Sequence, residues 1–379
     1  MIRKVLMVGH YIEPPWCDGV VNTIRSWSEG LTKSGLKVSV LSTTSDPTIK
    51  SLALNGVQYH YFLGSRKRFQ YPLNYIPRFC SNSMHYLKTE NADICHFHGL
   101  RSIPALFPFK LFSRARFCFS FHNTPRGFVT YPTIGRFMEK TFDLITVPDN
   151  RAYSFLKASG ISENKISVIP PGIDTRFFSP KNRKLCRSLL GIPMNTFVIM
   201  YAGHFKRGRG VEQLITSFHK LKHSNPSSQD LYLILAWTGY AEKGYYERLI
   251  RKIKGESGVI IVGPQEDMSL LYNSADVVVS PILGDESVIS IPLNIIEAMS
   301  CGKIIISTNV GAVRQFLSDE VNGFLINIGD DDAIFKKLSA ILEESFDRVQ
   351  MENLAREAVV KNFSIDIVTR KLASFYGAV

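Results

Sequence analysis

The chain has 379 residues, 45% of them hydrophobic and 21% charged, which is the composition of a folded globular protein and not of a disordered or fibrous one. A length of this order exceeds one ordinary core and predicts two domains. The net charge of +12 is uneven: residues 1–180 carry +11 and residues 181–379 carry +1, so a basic surface meant for phosphates or an anionic membrane belongs to the first half.

No apolar run reaches the roughly 18 residues that a membrane-crossing helix needs. The opening MIRKVLMVGHY has an apolar run too short for a signal peptide and no small-residue cleavage site after it, so it reads as a first buried strand. The six cysteines are scattered without a CxxC pair, which predicts a reducing compartment and neither a disulfide framework nor a zinc site. The expected location is cytoplasmic, with peripheral attachment to the inner face of the membrane as the option the basic half adds.

In the first half, strands are predicted at 5–11, 37–43, 57–62, 93–97, 117–121, 144–148 and 165–169. Helices are predicted at 20–33, 73–88, 102–112, 134–141 and 150–159. Such alternation implies βαβ units and a parallel sheet with helices on both faces, whose ligands sit at the carboxyl ends of the strands. The stretch IPPGIDTRFFSP at 169–180 holds three prolines and a glycine, and it reads as an interdomain linker centred on 171–180. A second series follows, with strands at 197–202, 232–236, 259–262, 277–281, 303–307 and 323–326. Its helices are expected at 211–222, 243–254, 267–273, 292–300, 312–317 and 331–344, and the tail 348–376 reads as helical with a break at 362–364. The fold class is α/β: two Rossmann-like doubly wound domains, 1–170 and 181–362, with a cleft between them.

Four stretches carry candidate chemistry. Asp18 and Gly19 lead from the first strand's loop into a helix, whose first N–H groups can hold an anion. His96 and His98 share one strand face, with His98 at the carboxyl end; a metal would need further ligands, so a hydrogen bond to a sugar or phosphate is the better reading. His122 ends the next strand and suits the same polar wall. The turn GHFKRGRG at 203–210 combines three glycines with Lys206, Arg207 and Arg209, which favours an anion, although a solvated basic loop has the same composition. It is neither a Walker motif nor a GxGxxG fingerprint. Finally, SIPLNIIEAMSCG at 290–302 reads as a helix entered through Pro292 with Glu297 among apolar neighbours. That acid either faces solvent or is aimed at the hydroxyls of a ligand.

The segments IPPGIDTRFFSP, YAGHFKRGRGVEQLITSF, VIIVGPQEDMSLLYNSADVVVSP and IPLNIIEAMSCGKIIISTNVGAVRQFLSDEVNGFLI, in this order and spacing over 165–330, resemble the family 4 retaining glycosyltransferases of the GT-B fold. The resemblance implies that Glu297 is the second acid of the family's E-x7-E motif and binds the donor's ribose. It implies that Gly203, His204, Lys206, Arg207 and Arg209 hold the donor diphosphate. Ser290, Ile291 and Leu293 fall in the donor loop, and Gly311 in the motif after the following strand. His98 matches the histidine near the transferred sugar, and Asp18 and Gly19 match the acceptor-side glycine loop. The final segment 364–379 is expected to pack back on the first domain. Departures are Ile289 where the first acid belongs, with Asp285 or Glu286 as candidate replacements, His204 for an arginine, Arg209 for a lysine, Asp18 for a glycine and Pro171 for an asparagine.

The implied activity is transfer of a sugar, with retention, from a nucleotide-diphosphate sugar to a lipid-linked or cell-surface glycan acceptor, in polysaccharide biosynthesis. His98, Glu297 and Arg209 are its catalytic candidates. No DxD-like motif appears in a loop suited to metal binding and no protein nucleophile is assigned, so neither a metal requirement nor another cofactor is expected. The run Arg66-Lys67-Arg68-Phe69, and the phenylalanines of 107–121 with Lys110, Arg114 and Arg116, suit a membrane surface, though that run can equally be core. The alternatives are a GT-B sugar-nucleotide epimerase or phosphorylase, or a non-catalytic nucleotide-sugar binder. Nucleic acid is not an expected partner, because no recognition motif accompanies the charge.

Overall fold

The computed structural model describes residues 2–14, 16, 18–64, 75–99, 110, 113–124, 132–224, 230–284 and 289–377. The chain divides into two units, residues 1–172 with 365–379, and residues 173–364. Each is a doubly wound α/β layer.

The first unit grows from β1 (Lys4–Val8), whose sequence KVLMV has no polar face. Such a strand must be covered on both sides. Leu6 and Val8 enter one apolar layer, and Val5 and Met7 the other. The remaining strands are β2 (Lys37–Thr44), β3 (Ser51–Leu54), β4 (Val57–Leu63), β5 (Ile94–His98), β6 (Arg116–Ser120), β7 (Leu144–Val147) and β8 (Ile166–Val168). They form an eight-stranded sheet ordered β3-β4-β2-β1-β5-β6-β7-β8. All neighbours are parallel except β3 and β4. The winding reverses between β1 and β5, which makes their carboxyl ends the natural ligand position.

Strand β3 is an addition to the predicted elements. Its turn is Asn55-Gly56, with φ of 50° and 79°, the paired positive angles of a two-residue hairpin. Helices α1 (Gly19–Lys33), α2 (Tyr75–Thr89), α3 (Pro132–Thr141) and α4 (Asn150–Ala158) belong to this unit. So does the last helix, α12 (Ile365–Tyr376). Helix α1 buries Val21, Ile24, Trp27 and Leu31, spaced three and four apart. α12 crosses it at Gly30, where a Cβ would stand 2.6 Å from Thr369 Cγ2.

The second sheet is wholly parallel, with β9 (Thr196–Phe205), β10 (Asp230–Ala241), β11 (Val259–Val262), β12 (Val277–Ser280), β13 (Ile304–Thr308) and β14 (Phe324–Ile326) in the order β11-β10-β9-β12-β13-β14. Ile199 and Tyr201 of β9 face one core, and Val198, Met200 and Ala202 the other. Around the sheet lie α5 (Arg183–Leu190), α6 (Val211–Ser224), α7 (Tyr245–Ile253), α8 (Met268–Ser274), α9 (Leu293–Ser300), α10 (Asp331–Leu342) and α11 (Arg348–Phe363). Here the winding reverses between β9 and β12.

Three expectations for this half change. The stretch 171–180 is not a free linker beyond residue 172. Ile173 N–H donates to the Phe363 carbonyl at 2.9 Å, and the Phe177 and Phe178 carbonyls accept from Ser269 and Ser300 at 2.9 and 2.5 Å. These bonds hold it in the second unit. The predicted helix at 312–317 is only a 3₁₀ turn, Val313–Gln315. Helix α5 is new to the predicted elements, because its pattern is inverted: Leu185 and Leu189 are exposed while Arg187 is buried. Arg187 is inside because Asp276 accepts from its Nη2 at 2.6 Å and three backbone carbonyls accept its other bonds.

Candidate functional site

At the carboxyl end of β9 the chain turns through residues 203–210. Gly210 has φ +67°, and a Cβ there would lie 1.9 Å from the Pro281 carbonyl oxygen, so only glycine lets this turn close on the segment after β12. Leu283 N–H donates to the Gly208 carbonyl at 2.9 Å and completes the closure. Within the turn, the Tyr201 hydroxyl donates to the His204 carbonyl at 2.7 Å, at the edge of Gly203. The His204 ring is held by Thr238 Oγ1 at 2.5 Å from Nδ1. Arg207 is exposed and pairs with Glu242, Nε to Oε1 at 3.5 Å. Lys206 and Arg209 differ: neither has an ion pair among the described residues, and the Arg209 Nε is buried without a hydrogen-bond partner among them.

Helix α9 begins beside this turn. Asn294 Nδ2 donates to the Ala202 carbonyl at 3.1 Å and to Ser280 Oγ at 3.2 Å, which ties α9 to the ends of β9 and β12. Three residues on, and therefore on the same helix side, is Glu297. The Tyr272 hydroxyl donates to its Oε2 at 2.9 Å, while Oε1 takes no bond from the described residues. Burial raises the carboxyl from its ordinary value to about 7, against the opposite pull of the Tyr272 bond. Ser290, Ile291 and Leu293 are buried at the helix entrance, and Pro292 is its N-cap. The Ser290 carbonyl accepts from Ala312 N–H at 2.9 Å, and a Cβ on Gly311 would stand 2.6 Å from the same oxygen. Gly311 therefore joins the site by close backbone approach. The three-residue turn after it is too short to act as the helix start the sequence suggested.

In the first unit His98 ends β5 and is buried. Its Nδ1 lies 3.1 Å from His122 Nε2, and its own Nε2 is buried without a partner among the described residues. His96 is bonded at both nitrogens, at 2.6 Å to the Tyr376 hydroxyl and 2.6 Å to Ser120 Oγ, so it is a core histidine. Burial drives all three rings down, His96 to about 3, His122 to about 4 and His98 well below its ordinary value, with the neighbouring rings adding to the drop for His96 and His98. All three are neutral at pH 7. Asp18 does not leave the α1 start open to an anion. Its carboxylate accepts from Val20 and Val21 N–H at 2.9 and 3.4 Å and so occupies that position ahead of Gly19.

The structure thus assembles the 203–210 turn, the α9 entrance, Glu297 and the Gly311 turn at one sheet's winding reversal. Asp285 and Glu286 lie outside the described residues, and Ile289 packs partly against the core. Arg66 to Phe69 and nearly all of 101–112 also lie outside them. Of the phenylalanine run, Phe117, Phe119 and Phe121 are buried core. Lys110 pairs with Asp143, and Arg116 donates to the Tyr376 carbonyl at 2.8 Å, so among the described residues of this run the aromatics are core. Among the described residues there is no helix long and apolar enough to span a bilayer, and no group of three or more His, Cys, Asp or Glu that could hold a metal ion. Sequence reasoning did not single out Tyr272 or Asn294. Both sit in helical patterns that read as packing.

Solved structures share this fold along nearly the whole chain. A sucrose-phosphate synthase from Thermosynechococcus elongatus superposes with a TM-score of 0.83 at 18% identity, covering 99% of this chain and 98% of that one. HepE of Anabaena in complex with UDP gives 0.78 at 16% identity, covering 99% and 100%. The fold is that of the GT-B glycosyltransferases. Residues 17–177 match the family model "Glycosyltransferase Family 4" and residues 196–344 the model "Glycosyl transferases group 1". The chain belongs to the family 4, group 1 glycosyltransferases. A D-inositol 3-phosphate glycosyltransferase of Nocardiopsis dassonvillei is 27% identical over 221 residues, 56% of this chain and 51% of the relative. One from Paenarthrobacter aurescens is 29% identical over 173 residues, 44% and 41% of the two chains. The aligned stretch thus spans about half the length of these curated relatives.

Proposed function

We propose that the protein is a retaining glycosyltransferase that binds a nucleotide-diphosphate sugar in its second unit. The observation that carries this is the pair of cations that have no carboxylate partner among the described residues, Lys206 and Arg209, on a glycine-closed turn beside a helix whose Glu297 keeps one oxygen unbonded by those residues. Lone cations at the carboxyl end of a parallel sheet favour phosphate, and an acid in this position, once ionised, accepts hydrogen bonds from ribose hydroxyls. Negative charge grows on the diphosphate as the glycosidic bond breaks. Arg209 and Lys206 stabilise it there, in a reading that needs no metal ion. His98, neutral and with an Nε2 that has no partner among the described residues, serves as a hydrogen-bonding group for a sugar hydroxyl. No side chain is assigned as nucleophile.

For the acceptor we infer a phosphate-bearing polyol or glycan. The basic excess of residues 1–180 supports it, and so do the names of the inositol-phosphate relatives. A lipid-linked glycan at an anionic membrane surface, in polysaccharide biosynthesis, is the narrower form of the same reading. The experiment is incubation of the protein with UDP-, GDP- and ADP-sugars, with and without inositol phosphates or lipid-linked glycan extracts. Nucleotide release that requires an acceptor, with the donor's anomeric configuration kept in the product, is expected. Turnover without acceptor would identify an epimerase. Formation of a sugar 1-phosphate from a glycan and inorganic phosphate, with no nucleotide released, would identify a phosphorylase. Nucleotide binding with no release from any acceptor would favour the non-catalytic binder, which Ile289 in place of an acid keeps in view.

A further inference from the structure

Tyr272 is almost wholly buried in the core under α9. Its ring tilts against Phe178 with centroids 6.2 Å apart, and the next residue, Asn273, is pinned by the Ser179 carbonyl at 2.9 Å. Packing alone would be served by phenylalanine. The hydroxyl is buried in apolar surroundings, and its one acceptor among the described residues is Glu297 Oε2 at 2.9 Å. A phenol in such a place needs an acceptor, and a carboxylate there needs a donor. We propose that Tyr272 is a positioning residue for donor binding: its phenol grips one oxygen of Glu297 so that the other is presented, ionised and in a single orientation, to the ribose hydroxyls of the nucleotide. This rests on the donor-site reading above.

A hydrogen bond given to the charged form of an acid favours that form. The bond therefore works against the burial that raises Glu297. The titratable groups coupled to this acid are Tyr272 from α8 and Cys301, which follows α9, and Cys301 is itself pushed up to about 12 by burial. Neither titrates below pH 8, so within this cluster only Glu297 changes charge across the range tested, and a shift of the limb on replacing Tyr272 reports on it.

The test is UDP affinity by calorimetry from pH 5.5 to 8.5 on the full chain, for the wild type, Tyr272→Phe, Glu297→Gln and the double variant. Wild-type affinity is expected to rise with pH through about 7. Tyr272→Phe is expected to weaken binding at pH 7 by about tenfold and to move the midpoint of this limb up by about one pH unit, the worth of one hydrogen bond to a charged group. In the Glu297→Gln background the same substitution should change affinity less than about twofold, because coupled residues fail to add. An unmoved midpoint in Tyr272→Phe, or an equal loss in both backgrounds, would mean that Tyr272 acts by packing alone and would overturn the inference. Those results with Glu297→Gln still impaired sink the positioning role only, whereas wild-type affinity in Glu297→Gln sinks the donor-site reading with it.

Discussion

The Glu297 carboxyl sits near 7 in the folded chain against 4.5 in an ordinary setting, and the difference has a direction in stability. With the folded value raised, the folded state is favoured by this group below pH 4.5, and that advantage is lost as pH rises through about 7. Glu297→Gln removes the charge and keeps an acceptor for Tyr272. The nucleotide-free variant is therefore expected to be more stable than the wild type at pH 8, by on the order of 1–3 kcal/mol, with the gap closing at pH 4. Thermal melting at the two pH values measures it. A variant that melts lower than the wild type at pH 8 would show that the acid is not strained by burial. A site residue that costs stability while it waits for its ligand fits the general trade between stability and function.

Among the elements, the 203–210 turn depends most on a single residue. Gly210→Ala forces a Cβ against the Pro281 carbonyl at 1.9 Å and a left-handed φ of +67° on alanine. It should cost about 1–3 kcal/mol and displace Lys206 and Arg209, weakening nucleotide binding further than the stability loss alone explains. Unfolding in urea and nucleotide titration test this together. Wild-type values in both would contradict the closure. The turn and helix α9 were legible in the sequence because a glycine-spaced basic run and an apolar helix each carry a local pattern. Strand β3 could have been found from Asn55-Gly56, a local hairpin signal. Helix α5 could not, since the reason Arg187 lies inside is Asp276, 89 residues along the chain. The partner of Glu297 was hidden in the same way: Tyr272 reads as one more apolar residue of α8 until α9 is laid against it. His98 was placed by strand alternation, but the contact with His122 comes from the pairing of β5 with β6.

On the scale of the whole molecule, both units repeat one plan, a doubly wound sheet whose winding reverses beside polar residues at the strand ends. The alternation of short apolar runs with helical patterns made that plan readable. The basic excess was less so: the phenylalanine run suited either a membrane face or core, and of its described residues Phe117, Phe119 and Phe121 fill the core while Arg116 donates to the Tyr376 carbonyl. In the second unit the Arg187–Asp276 pair joins α5, β9 and the start of β12, with Val198 N–H also donating to Asp276 at 2.7 Å. Arg187→Ala leaves a buried carboxylate short of a partner and should destabilise the chain by about 3–5 kcal/mol. A denaturant midpoint unchanged from the wild type would mean that the pair carries no structural weight.

The central claim is that the second unit seats a nucleoside diphosphate between the 203–210 turn and Glu297. Calorimetric titration of UDP into the wild type and into Arg209→Ala tests it most directly. The account predicts saturable binding by the wild type and at least about tenfold weaker binding by the variant, the loss of a charge-assisted phosphate contact. Equal affinity in the two proteins, at unchanged melting temperature, would contradict it.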